Sequence, residues 1–225
     1  MFKNTFRTMG VALIVAASAM LMAPAAQAQT DQEKLVNASE ATLSNFMRDP
    51  EMKWLQQNFG RAKAVMISPE IVKAGFIFGG SGGRALVVAK AGDRWVGPSF
   101  YTMATASVGF QAGVSASEVV TLVMTDKGLN SLLAANFKMG GDASVAAGPV
   151  GADAKSDIAA DLITFTRAKG VYGGLNLDGT VVSSNDDWNK AFFGKPALPP
   201  DILIKNAVSN KGADKLLAEV AKVAK

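Results

Sequence analysis

The stretch Ala74-Gly75-Phe76-Ile77-Phe78-Gly79-Gly80-Ser81-Gly82-Gly83-Arg84-Ala85-Leu86-Val87-Val88-Ala89 holds two short apolar runs, 74–79 and 84–89, around a cluster of glycines. Short apolar runs rich in β-branched and aromatic residues and bounded by glycine read as strands. The cluster Gly79 to Arg84 invites comparison with a phosphate loop, in which glycine frees backbone N–H groups to cradle an anion. A nucleotide-binding loop needs a Gly-Lys-Ser/Thr ending and a following helix. Here that ending is missing and a strand pattern follows. Turn chemistry favours a flexible hairpin tip, with Arg84 left as a minor contact for an anionic group.

The same texture continues on both sides. Ala64 to Ser68 precedes it; Trp95-Val96, Ser99 to Ser107, Gly109 to Gly113 and Glu118 to Met124 follow. Glycines inside strand patterns predict bulges and close backbone approach, as a curved sheet requires. Asp126 to Phe137 reads as a helix with Leu129, Leu132, Leu133 and Phe137 on one face. Ser144 to Val150 reads as a strand with Pro149 near its end, and Asp161 to Arg167 as another. Gly170 to Leu177 and Gly179 to Ser183 are joined by Asp178-Gly179, a strong hairpin signal. Asp186 to Phe193 is a short helix capped by Asp186 and closed by Gly194. Trp188 and Phe192, four residues apart, can fasten it to the sheet. Pro199-Pro200-Asp201 opens another short helix. Ala213 to Lys225 is a final amphipathic helix with Leu216, Leu217, Val220 and Val223 inward. The expected fold class is α+β: a curved antiparallel β-sheet, sandwich or partial barrel, with N-terminal amphipathic helices and short C-terminal helices.

Residues 1–28 read as a secretory signal peptide. Lys3 and Arg7 precede an apolar run from Gly10 to Met22, and Ala26-Gln27-Ala28 forms a small-x-small site with cleavage expected before Gln29. The run is short for a membrane span. Residues 29–225 are then expected to be a single exported, periplasmic domain. Without Lys3 and Arg7, 21 of the 23 Lys and Arg remain against 19 Asp and Glu, a net charge of +2. Lys and Arg are scattered among Asp and Glu, so no basic stripe for nucleic acid is visible.

Asp31 to Phe59 is amphipathic at helical spacing, with Leu35, Val36, Leu43, Phe46 and Met47 on one side. Pro50 divides it, Asp49 caps the second part, and Trp54 and Leu55 face inward. Two roles fit this pattern. The stripe either packs on the body of the protein, or inserts between lipid headgroups with Lys34, Arg48 and Lys53 close by.

The chain has no Cys and no His. Thiolate nucleophiles, disulfides, His-ligated zinc and the Ser-His-Asp arrangement are thereby excluded. No nucleophile-elbow pattern is present, and no enzymatic activity is expected. Asp178, Asp186 and Asp187 form the densest acidic patch, whose oxygen ligands suit calcium in type but not in spacing. Turn and cap roles account for them, and no metal or cofactor is expected.

Several segments together resemble the SYLF domain family: Ala62 to Ile67, Lys73 to Gly83, Trp95 to Tyr101, Ser107 to Gly113, Gly148 to Gly151, Gly170 to Gly179 and Asn185 to Gly194. The resemblance runs from about Leu35 to Leu203. It implies a compact α+β fold, phosphoinositide binding helped by an N-terminal amphipathic helix in eukaryotic relatives, actin binding in some, and phospholipid binding in exported bacterial relatives. It transfers no catalytic residues. The implied partner is a phospholipid or membrane surface, with Lys34, Leu43, Phe46, Met47, Arg48, Lys53, Arg61, Lys63 and Arg84 as the candidate lipid-binding residues. The alternative is a periplasmic structural or protein-interaction domain with no specific lipid.

Overall fold

Two strands are longer than the apolar runs suggest, and each passes through a proline. The computed structural model describes residues 29–75, 78–108, 113–151, 158–169 and 177–225. Strand β1 (Ala64–Gly75) runs through Pro69, and β3 (Arg94–Val108) runs through Pro98. Proline lacks the N–H that a central strand donates, and a bulge is where that loss is tolerated. Both prolines sit at bulges. On β1, Ile67 pairs with Leu86 but Glu70 with Arg84, so one extra residue is inserted. The same insertion appears against β4 (Gly113–Val123), where Ser68 pairs with Val119 and Ile71 with Ser117. On β3, Val96 pairs with Ala89 but Ser99 with Val87. The Ser68 hydroxyl donates to the Arg84 carbonyl (2.7 Å) at the first bulge.

The bulge also explains part of the glycine cluster. A Cβ on Gly83 would collide with the Glu70 carbonyl. Gly79 to Gly83 therefore lies within strand β2 (Phe78–Ala91) rather than in a hairpin tip, which corrects the sequence expectation. The expected run 109–113 lies largely outside the described residues.

With β5 (Asn136–Lys138), β6 (Val145–Ala147), β7 (Leu162–Lys169) and β8 (Val181–Ser184), these strands form one curled eight-stranded sheet in the order β5-β8-β3-β2-β1-β4-β7-β6. The pairs are antiparallel except β6 with β7, so the sheet is mixed. The connection from Ala147 to Leu162 is long enough for the crossover that parallel neighbours need. Phe137 reaches the core from strand β5, not from the end of a helix. Helix α3 (Asp126–Leu133) stops at Ala134, and the chain turns to pair with β8. Leu177 to Thr180 form the expected turn, with Gly179 at φ 81°. The strand read over 170–177 lies almost wholly outside the described residues.

Both faces of the sheet are covered for most of its length. One face, with Val65, Ile67, Leu86, Val88, Phe100 and Val120, packs on α1 (Asp31–Arg48), α2 (Lys53–Asn58), α4 (Asp186–Phe193) and α6 (Asp214–Val223). The other, with Met66, Val87, Tyr101, Val119 and Leu162, packs on α3 and α5 (Pro199–Leu203). Helix α1 starts at a capping box between Thr30 and Glu33 and buries Val36, Ser39, Thr42, Leu43 and Phe46. Thr42 donates to Glu118, a buried residue of β4 (3.1 Å). Helix α4 is capped by Asn185, whose Oδ1 accepts from Trp188 N–H, so Asp186 occupies the first turn rather than the cap. Phe100 meets Trp188 and Phe192 at 5.9 and 5.2 Å between ring centroids. Asn189 Oδ1 accepts from Phe100 N–H (2.9 Å), so rings and an amide together fasten α4 to β3.

Asp161 ties the far edge together. Its carboxylate accepts from the Thr125 hydroxyl (2.5 Å), the Ser144 hydroxyl (2.7 Å) and Ser144 N–H (2.9 Å). These bonds, the Thr125 hydroxyl first, hold its carboxyl down to about 2 from an ordinary 3.8. A carboxyl depressed on folding stabilises fully above its unfolded value and loses that contribution as pH falls through its folded value.

Two outcomes follow from this packing. Asp161→Asn is expected to lower stability by about 2 kcal/mol at neutral pH. Its deficit against the parent should shrink between roughly pH 4 and pH 2, as read from denaturant titrations across that range. Leu43→Ala is expected to cost about 2–5 kcal/mol, and Leu43→Asp to abolish the cooperative thermal transition.

Candidate functional site

Among the described residues, the helix layer stops short of the end of the sheet. Where α1 begins, a groove of about 650 Å³ opens between its first turns, the far halves of β1 to β3, and α4. The Pro69 bulge decides which side chains face it. Strand side chains alternate with period two, so one inserted residue reverses the assignment of faces. Before the bulge, Val65 and Ile67 face the helices, while Met66 faces the other way. After it, Ile71 shares the face of Met66, and Val72 turns toward the groove.

Arg84 stands at the centre. It is exposed, and its guanidinium carbon lies 4.3 Å from the ring centroid of Trp188. Stacking on an aromatic face fixes the guanidinium plane while leaving its N–H fork in that plane, suited to phosphate or carboxylate oxygens. Lys34 enters from α1 and pairs with Asp31 at 2.9 Å. The Lys34 hydrogen bond is the main reason that Asp31 is held below the ordinary carboxylate range. Glu70 and Thr102 complete the polar rim, in the cross-strand row Glu70–Arg84–Thr102. With two acids beside two bases, the rim carries no large net charge.

The nine candidate residues fall into three groups. Lys34 and Arg84, fifty positions apart in sequence, meet at this groove. Leu43 and Phe46 are fully buried against the sheet, which corrects the expectation that they enter a bilayer. Their stripe meets a sheet face of matching apolar side chains, so folding already removes it from water. Met47 is half-buried on the same core. The other cations sit elsewhere. Arg48 ends α1, about 21 Å along its axis from Lys34. Lys53 is exposed on α2, Arg61 donates to Asn58 (2.8 Å), and Lys63 pairs with Asp126 (2.8 Å).

Sequence reasoning missed Trp188, Glu70, Val72 and Thr102 at this site. Alternation through Pro69, read as a bulge rather than a break, would have brought Val72 and Arg84 to one face. Of the acidic patch, Asp186 accepts from the Ser184 hydroxyl (2.6 Å), and among the described residues no cluster of three metal-ligating side chains exists. No described helix is long and apolar enough to cross a membrane.

The family model described as Ysc84, Las17-binding protein actin regulator, matches residues 104–223, just over half the chain. The chain belongs to this family. The matched region includes the last five residues of β3 and α4 with Trp188; similarity to curated relatives extends further. The yeast (Saccharomyces cerevisiae) protein YSC84 is 29% identical over 165 residues, 70% of this chain and 35% of its own length. LAS seventeen-binding protein 3 of the same yeast is 30% identical over 142 residues, 60% of this chain and 31% of its own. Human SH3 domain-containing YSC84-like protein 1 is 29% identical over 149 residues, 64% of this chain and 43% of its own. The chain thus spans well under half the length of these relatives. No solved structure gives a significant match. The family is one of binding and regulatory proteins rather than of enzymes.

Proposed function

We propose that this Ysc84-family domain is an exported, non-enzymatic phospholipid-binding protein that associates peripherally with a membrane surface in the cell envelope. The observation that carries the reading is the convergence of Arg84, stacked on Trp188, and Lys34 on one open groove. A stacked guanidinium beside an ammonium suits the phosphate of a lipid headgroup. Asp31 and Glu70 on the same rim moderate the preference for anionic headgroups. Cations near an anionic surface contribute about 1 kcal/mol each, so these two supply at most roughly a thirtyfold preference. Apolar contact must supply the rest.

Export is supported by the leader pattern of residues 1–28. A second reading, a protein-interaction domain, is favoured by the relatives' own description as Las17-binding. On that reading the groove takes an acidic segment of a protein instead of a lipid.

Flotation of the purified domain with phosphatidylcholine vesicles, with and without an equimolar share of phosphatidylglycerol, separates the two readings. The phospholipid reading expects binding to both, stronger to the mixture, and a loss of the difference in Lys34→Glu/Arg84→Glu. Absence of binding to either vesicle rejects it. Expression of the full chain in a bacterial host, followed by mass spectrometry of the secreted or periplasmic product, is expected to give Gln29 as the first residue. Retention of the leader in the cytoplasm rejects export.

A further inference from the structure

Beyond the groove, the four central strands continue as a sheet end whose helix-side face no described helix covers. Two cross-strand rows occupy it. One is Val114–Ala74–Gly80–Ala106; the other is Ala116–Val72–Gly82–Ala104, prolonged onto β8 by Val181. Every position in both rows is apolar or glycine. Val72, Val114 and Val181 are 41%, 70% and 42% exposed, so three of the six large hydrophobic side chains exposed among the described residues share this one face. The sequence carries no Asp, Glu, Lys or Arg from Ala74 to Gly83 or from Met103 to Ser117. The next row inward is polar, Glu70–Arg84–Thr102, with Lys34 and Trp188 beside it.

We propose that this uncharged sheet end, rather than helix α1, is the surface that meets the acyl chains of a membrane lipid, with Arg84, Lys34 and Trp188 marking the headgroup level. The proposal rests on the phospholipid reading above and names the contact it uses. Three observations select the occupant. The face is continuous with the groove, since Val72 and Gly82 belong to both. Its order, apolar rows and then cations with a tryptophan, is the order that a bilayer boundary demands. Its extent, four strands by two rows, is on the order of 250 Å². A stable protein partner covers about 800 Å², so a second copy of the chain fits poorly, whereas acyl chains need no larger area. Small side chains and glycine also leave the surface flat, which permits close contact along an extended chain.

The chain has no cysteine, so single labels are clean. Val114→Cys and Ala106→Cys, both exposed, would carry an environment-sensitive nitrobenzoxadiazole fluorophore. Ala218→Cys on α6 is the control; that helix packs beside Trp95 at the opposite end of β3. With vesicles of phosphatidylcholine and phosphatidylglycerol, labels at 114 and 106 are expected to shift to the blue. Lipids carrying a nitroxide on the acyl chain should quench them, and the label at 218 should not respond. Val114→Asp is expected to cut vesicle binding roughly tenfold while Val114→Leu retains it, with unchanged far-ultraviolet circular dichroism in both. Vesicle binding with labels at 114 and 106 still in water overturns this inference and leaves the headgroup reading standing. A blue shift that needs protein concentration and no vesicles overturns it in favour of a second copy. Failure to bind vesicles at all removes the phospholipid reading and this inference with it.

Discussion

The rest of the molecule depends on the extra residue at Pro69. A strand in a sheet covered on both faces must keep one set of side chains toward each layer, and alternation enforces this with period two. The bulge on β1 breaks the period once, against both neighbours. Inside it, large apolar residues of β1 serve both cores. Outside it, Val72 and Ala74 point to the side where the helices have ended. The same event presses Glu70 onto Gly83, which is why a side chain is absent there, and brings Arg84 opposite Glu70. One insertion thus bends the sheet, dictates a glycine, and sets the boundary between packed core and open groove.

The α+β class, the curved sheet and most helix boundaries were legible from residue patterns, because periodicity and caps are local signals. Gly194 at φ 70° closing α4 and Pro199 opening α5 behave as their chemistry requires. Local reading made the strands too short. The run Ala64 to Ser68, and the runs Trp95-Val96 and Ser99 to Ser107, belong to two long strands that pass through Pro69 and Pro98; proline removes a ladder donor, but two neighbouring strands supply enough pairing to absorb a bulge. Phe137 is a similar case: its spacing from Leu133 suits a helix, but pairing of Asn136–Lys138 with β8 wins. Both errors arise where a long-range partner outweighs a local preference, and a single sequence does not display such partners.

The site was less legible than the fold. An amphipathic stripe looks the same whether its apolar side faces a sheet or a bilayer, and Leu43 and Phe46 turned out to face a sheet. Lys34 and Arg84 were readable as cations but not as neighbours. Trp188 reads as fastening its helix to the sheet, and it does meet the Phe100 ring in an edge-to-face contact, yet its own face also takes the Arg84 guanidinium. A residue that serves both the core and the rim carries no sequence mark that separates the two duties.

The burial of α1 moves the argument for membrane contact rather than ending it. A helix whose apolar stripe is already satisfied gains nothing from leaving the sheet for a bilayer, since Leu43 and Phe46 would exchange one apolar environment for another while β4's Glu118 lost Thr42. A sheet end with exposed Val72, Val114 and Val181 is in the opposite position: its apolar surface still faces water, and any apolar partner removes that cost. The thermodynamic incentive to bind therefore lies with the small, flat residues of the strands. The conspicuous helix instead supplies the lysine at their border and the wall of the groove.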